Sequence, residues 1–134
     1  MKWIINNIKW IMLVSGLLTC TLFYAAIAPQ AALRSTFGES LDGQLAEIIV
    51  RNWGALITLV GAMQIYGAFN APNRSLILTV SSVSKLTFIS LVLLYGRQYL
   101  GQQAGVAIAI DAIMVILFIS YLIGDRSKIA NQIN

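Results

Sequence analysis

The chain has 134 residues, 58% of them hydrophobic and only 10% charged, with nine Lys and Arg against five Asp and Glu. A soluble domain carries about 25% charged residues, so this sequence does not supply a water-facing surface, and most of its apolar area must face lipid or a partner. The absence of histidine excludes bis-His haem, His-ligated metal and His general bases, the single Cys20 excludes a dithiol mechanism within the chain, and the scattered basic residues form no nucleic-acid footprint.

One domain, residues 1–134, is expected, with four apolar spans at about 11–28, 52–69, 76–95 and 104–123 and an outer loop at 29–48. The first span follows a basic start, Lys2 and Lys9, and reads as an uncleaved anchor, because Pro29 directly follows the small-x-small stretch Ala26-Ile27-Ala28. Cys20 within it is expected to behave as a small apolar residue. In the loop, PQAALRSTFG predicts a short interfacial helix with Pro29 in its first turn and Gly38 at its end, and with Leu33 and Phe37 dipping into the lipid boundary. Glu47 and Arg51 stand at i,i+4 with the acid first, so the next helix is expected to begin near Gly43, outside the membrane.

The second span places Gly54, Thr58, Gly61 and Ala68 on one face at helical spacing. Small residues allow close backbone approach, so this face predicts a packing seam, within the chain or with a partner. Pro72 in NAPNRS ends that helix, and Ser75 is expected to cap the third.

The third span carries one charge, Lys85, near its midpoint, and the fourth carries one acid, Asp111. An isolated lysine at mid-bilayer costs about 3 kcal/mol or more. Counted along two antiparallel helices at 1.5 Å per residue, the two side chains differ in depth by about 5 Å, within reach of each other. Gln64, Ser81 and Ser82 are expected to join them in a polar cluster, with Thr58 and Tyr66 as further contributors. Two readings stay open: a structural pin between spans three and four, or a site for a lipid or quinone head group or a proton relay.

The short connections predict an all-α, up-down-up-down four-helix transmembrane bundle. Lys2, Lys9, Arg74, Arg126 and Lys128 on one side outnumber Arg34, Arg51 and Arg97 on the other, so both termini are expected in the cytoplasm. Trp3, Trp10, Trp53, Tyr95 and Tyr99 fall near the span boundaries, where amphipathic rings settle.

The stretch VRNWGALITLVGAMQIYGAFNAPNR, followed by VSKLTFISLVLLYG, resembles the DoxX-like small four-helix membrane proteins. The residues that carry the likeness are Arg51 opening span two, Gly54 after it, the exit Tyr66-Gly67-Ala68-Phe69 and the tight turn beyond. The same residues with Asn70 resemble, more faintly, the eukaryotic membrane scaffold that tethers sterol-synthesis enzymes. The resemblance implies a four-helix bundle with an accessory role, in the namesake case beside a quinone-linked sulfur oxidoreductase; the expected location is a bacterial inner membrane.

The leading functional expectation is therefore an integral membrane accessory or scaffold subunit that packs against partner membrane proteins, lipid or a second copy. It has no catalytic or metal-binding residues of its own and no cofactor beyond a bound lipid or quinone. The alternatives are a small proton-coupled transporter using Lys85 and Asp111, or a quinone- or lipid-binding redox-associated subunit.

Overall fold

The apolar runs fold as helices, and no strand occurs among residues 1–133, which the computed structural model describes. Helix α1, Lys2–Cys20, continues through a 3₁₀ turn at Thr21–Phe23 into the short α2, Tyr24–Ile27. There follow α3, Pro29–Phe37, then α4, Gln44–Phe69, then α5, Arg74–Tyr95, and last α6, Gln103–Ile133. Four stretches, Lys2–Ile27, Gln44–Phe69, Ala71–Tyr95 and Gln103–Ile133, are long and apolar enough to cross a membrane. Three helices overrun the apolar windows at 11–28, 52–69 and 104–123. No proline interrupts their polar flanks, so backbone hydrogen bonding carries each helix on where its apolarity ends.

Each long helix buries a narrow stripe. On α1 it runs through Ile8, Ile11, Met12, Ser15 and Gly16, and on α5 through Ile77, Leu78, Ser81, Ser82 and Lys85. The opposite faces are apolar as well: Leu59, Val83, Leu94 and Ile116 are all more than half exposed. A helix apolar all round suits lipid or a larger assembly better than water.

Helix α1 packs most extensively against α4, and α5 against α6. The α1–α4 contact is a glycine seam. A Cβ added at Gly61 would lie 2.8 Å from Cys20 Sγ and 2.9 Å from the Gly16 carbonyl, and one at Gly54 would lie 2.8 Å from the Ala26 amide. Gly54, Gly61 and Ala68 are buried, and the Thr58 hydroxyl donates to the Gly54 carbonyl at 2.7 Å. This face is therefore used inside the chain.

At the end of the bundle near the N-terminus, Ile8, Ile11, Met12, Ala68, Ile77, Leu78, Phe118 and Tyr121 form one apolar plug. Arg74 donates from Nε and Nη2 to the carbonyls of Gly67 and Ala68, both at 3.0 Å, and so closes the open end of α4. The expected cap at Ser75 is corrected: α5 begins at Arg74, the Asn70 side chain caps the turn before it, and the Ser75 hydroxyl instead donates to Asp125 at 3.3 Å. Asn70 takes the role because it stands just before the 3₁₀ turn Ala71–Asn73, where its Oδ1 accepts from the Asn73 amide at 3.3 Å.

At the other end α3 ends on Gly38 in the left-handed conformation at φ 76°, and Gly43 precedes α4 at φ 108°. Leu33 and Phe37 do not point to lipid, a second correction. Leu33 is buried with Ala25, Ala32 and Val50, and the Phe37 ring lies 5.4 Å from Tyr99, edge-on, and 6.4 Å from Trp53. Helix α3 lies folded against α2, α4 and α6, so its apolar face is spent on the bundle. The Tyr99 hydroxyl donates to Glu39 at 2.9 Å and fastens the loop.

Candidate functional site

Between these two ends lies a cavity of about 480 Å³. Helix periodicity places its floor. Lys85 and Asp111 reach it from α5 and α6, and Ser15 from α1. Its walls are apolar, chiefly Ile57 and Val60 of α4, Phe88 of α5, and Ile110 and Met114 of α6. Thr36 of α3 and Trp53 stand at its far end, among the residues that fasten the loop. The rim is formed by Leu18 and Thr21 on one side and Gln103 and Val106 on the other, all exposed. The cavity is thus open to the side, between α1 and α6. Along α6 from Asp111 to Gln103 it spans eight residues, about 12 Å of helix.

Lys85 Nζ donates to Asp111 Oδ1 at 2.5 Å, with the side chains 9% and 20% exposed. A charge taken into an apolar interior is costly alone and far cheaper when paired and hydrogen-bonded. The pair is unequally placed: Lys85 is enclosed, while Asp111 keeps a fifth of its side-chain surface exposed, and both line the cavity. Asp111 Oδ1 is the only hydrogen-bond partner of Lys85 among the described residues. Two ammonium N–H groups and one carboxylate oxygen remain unengaged.

The expected wider cluster is corrected in part. Gln64, Ser81 and Ser82 are buried beside the pair's helices, but none of their side-chain polar atoms has a hydrogen-bond partner. Ser81 lies one turn before Lys85 on α5, and Gln64 one turn beyond Val60 on α4, so both sit past the cavity floor, toward the apolar plug. Thr58 and Tyr66 do not join either. Thr58 bonds its own helix at Gly54, and the Tyr66 hydroxyl accepts from Asn70 at 2.6 Å. Glu47 and Arg51 stand 3.9 Å apart on the outer turn of α4, with both side chains nearly half exposed. Arg51 also donates to the Ala26 carbonyl at 2.7 Å and the Ile27 carbonyl at 3.1 Å, which fixes the end of α2 against α4.

Sequence reasoning missed Ser15, Trp53, Phe88 and Ala107 as cavity residues. Ser15 did carry a signal, since it extends the apolar stripe of Ile8, Ile11 and Met12 by one turn and breaks it with a hydroxyl. Ser15 is only 1% exposed, and its buried hydroxyl has no partner. The other three are ordinary membrane residues whose placement depends on which helices meet. Among the described residues no group of three or more Cys, Asp or Glu side chains gathers that could hold a metal ion.

Comparison of the chain with family models, with curated proteins and with solved structures returned no match.

Proposed function

We propose that the chain is an integral membrane protein, an up-down-up-down four-helix transmembrane bundle with both termini in the cytoplasm. Its proposed role is that of a non-enzymatic accessory subunit that holds a lipid-soluble molecule in the cavity above Lys85 and Asp111. The observation that carries the reading is the cavity itself: a side-opening space of about 480 Å³, apolar in its walls and ending on a buried ion pair. That combination, apolar walls with a few convergent polar groups, is the common form of a small-molecule site. The outward apolar faces and four long apolar helices support the membrane location. The proposed membrane is the bacterial inner membrane, and kinship with the DoxX-like proteins is a further proposal resting on Arg51, Gly54 and Tyr66 to Phe69. The inward-packed glycine seam lends no support to a scaffold that uses that face for partners.

The test is gentle purification from the native membrane with mass spectrometry of all bound small molecules. One lipid-soluble species is expected at a fixed ratio to the protein. It should be lost when Ala107, in the cavity wall, is enlarged to phenylalanine, with thermal stability kept. Identical bound species in wild type and Ala107→Phe would overturn the reading.

A second reading, a proton-coupled carrier, is favoured by one observation. The unpartnered polar atoms of Gln64, Ser81 and Ser82 lie beyond the pair toward the opposite end, where water would complete their hydrogen bonds. The apolar plug of Met12, Leu78 and Phe118 closes that path in this conformation. Proton uptake by vesicles containing the purified protein, abolished by Asp111→Asn, would favour the carrier over the binding subunit.

A further inference from the structure

Resting on the cavity reading above, the geometry points to the class of guest: we infer that the site takes a single-chain amphiphile with an uncharged head that both donates and accepts hydrogen bonds, such as a hydroxyl. The head would sit on Lys85, Asp111 and Ser15, and the chain would run toward Trp53.

Charge decides the head. Lys85 and Asp111 are the only charged side chains in the cavity lining, and they cancel. An anionic head on Lys85 would leave Asp111 facing a second negative charge, and a cationic head on Asp111 would do the same to Lys85. Either outcome places one uncompensated charge in a low-dielectric site. A neutral head leaves the balance intact.

Hydrogen bonding narrows the class further. The pair leaves N–H donors on Lys85 and one oxygen on Asp111 unengaged, and the buried Ser15 hydroxyl, which lines the same cavity, has no partner. A hydroxyl can accept from the ammonium and donate to the carboxylate at once, and Ser15 can serve it either way. An ether or ester head could only accept. A hydroxyl head therefore completes the floor, which otherwise keeps a buried polar atom unsatisfied.

Volume and shape set the chain. The cavity of about 480 Å³ equals the space of roughly sixteen water molecules. That is room for one medium-length chain. Its length along α6, about 12 Å, runs from the floor to Trp53 and Thr36. Access is lateral, past the exposed Leu18 and Val106, so the guest arrives from within the hydrocarbon layer.

The full chain carries three tryptophans, and Trp3 and Trp10 are well exposed at the other end of the bundle. Changing both to phenylalanine leaves Trp53 as the sole reporter. In detergent micelles this protein is titrated with a medium-chain alcohol brominated at its far end, with the matching carboxylate and with the matching amine. Saturable quenching of Trp53 by the alcohol is expected, at roughly tenfold lower concentration than by either ion, and Ala107→Phe should remove it. The double change Lys85→Met with Asp111→Leu should weaken the alcohol by roughly tenfold; if that protein does not fold, Ser15→Ala carries the same test with a several-fold loss. Tighter binding of the carboxylate or the amine would overturn the neutral-head inference while leaving the cavity reading in place. Alcohol binding unchanged by the folded floor variant would do the same. No saturable quenching by any probe, or quenching indifferent to Ala107→Phe, would overturn both.

Discussion

Gly16 and Gly61 face each other so closely across α1 and α4 that a Cβ on Gly16 would lie 2.8 Å from the Gly61 carbonyl oxygen, and one on Gly61 would lie 2.9 Å from the Gly16 carbonyl. Both obstructions are backbone atoms, which do not turn aside as a side chain end would. Contact of this kind needs glycine on both helices and depends chiefly on close packing, because lipid supplies no hydrophobic drive between helices. We predict that Gly61→Leu separates α1 from α4 and costs at least about 1–3 kcal/mol, the usual range for overpacking. Gly101, where an added Cβ meets nothing within 4 Å, is the control. Thermal unfolding in detergent should fall sharply for Gly61→Leu and stay level for Gly101→Ala. Equal melting of the two would show that the seam contributes nothing to stability.

The loop end gives a second prediction. Gly38 adopts φ 76°, and a Cβ there would also lie 2.9 Å from the Gln102 side chain. The left-handed backbone costs an ordinary residue about 1–2 kcal/mol, and Asn tolerates it better. Gly38→Ala should therefore loosen α3 from its seat, and Gly38→Asn less so. Because Phe37 rests on Trp53 and Tyr99, Trp53 emission in the protein lacking the other two tryptophans should shift to the red in the order wild type, Asn, Ala. An unshifted spectrum in Gly38→Ala would mean that α3 holds its place without the turn.

Topology is the third. The positive-inside count, five Lys and Arg against three, predicts cytoplasmic termini. A reporter active only in the cytoplasm should work when fused after α6 and fail when inserted at Gln103. The reverse pattern would invert the bundle, and the cavity mouth would then face the inner leaflet.

Much of this architecture is legible in the sequence, for identifiable reasons. Four long apolar runs leave little choice but helices, and Gly38 and Gly43 mark the bends of the first loop because few residues accept positive φ. Lys85 and Asp111 are legible as partners because each is the sole charge in its run and their depths match. What stays hidden is which apolar face meets protein and which meets lipid. Leu33 and Phe37 form the same i,i+4 stripe whether they cover the bundle or enter the bilayer, and only the fold of α3 onto α2, α4 and α6 decides. The cavity is hidden for a related reason. It arises where side chains from α1, α3, α4, α5 and α6 fail to fill a space, and no local pattern records a void.

The ion pair itself supports the most discriminating prediction. Removing one partner of a buried pair typically costs about 3–5 kcal/mol, whereas replacing both by apolar groups is often close to neutral. Membrane values run lower, about 0.6–1.7 kcal/mol for single hydrogen bonds, because the unfolded chain in the bilayer also finds partners. The two single changes should not be equal here. Lys85→Met strands a carboxylate that is 20% exposed and can shed its charge by taking a proton, while Asp111→Leu strands an ammonium only 9% exposed. Asp111→Leu should therefore be the more damaging, and Lys85→Met with Asp111→Leu should regain most of the stability lost by either. Denaturant unfolding in mixed micelles measures all four proteins as one cycle. A coupling near zero, with the losses simply adding, would show that the contact at 2.5 Å contributes nothing to holding α5 on α6. Equal damage from the two single changes would show that the greater exposure of Asp111 does not ease its isolation. A double variant that is stable but has lost its bound lipid-soluble molecule would assign the pair to binding and not to packing.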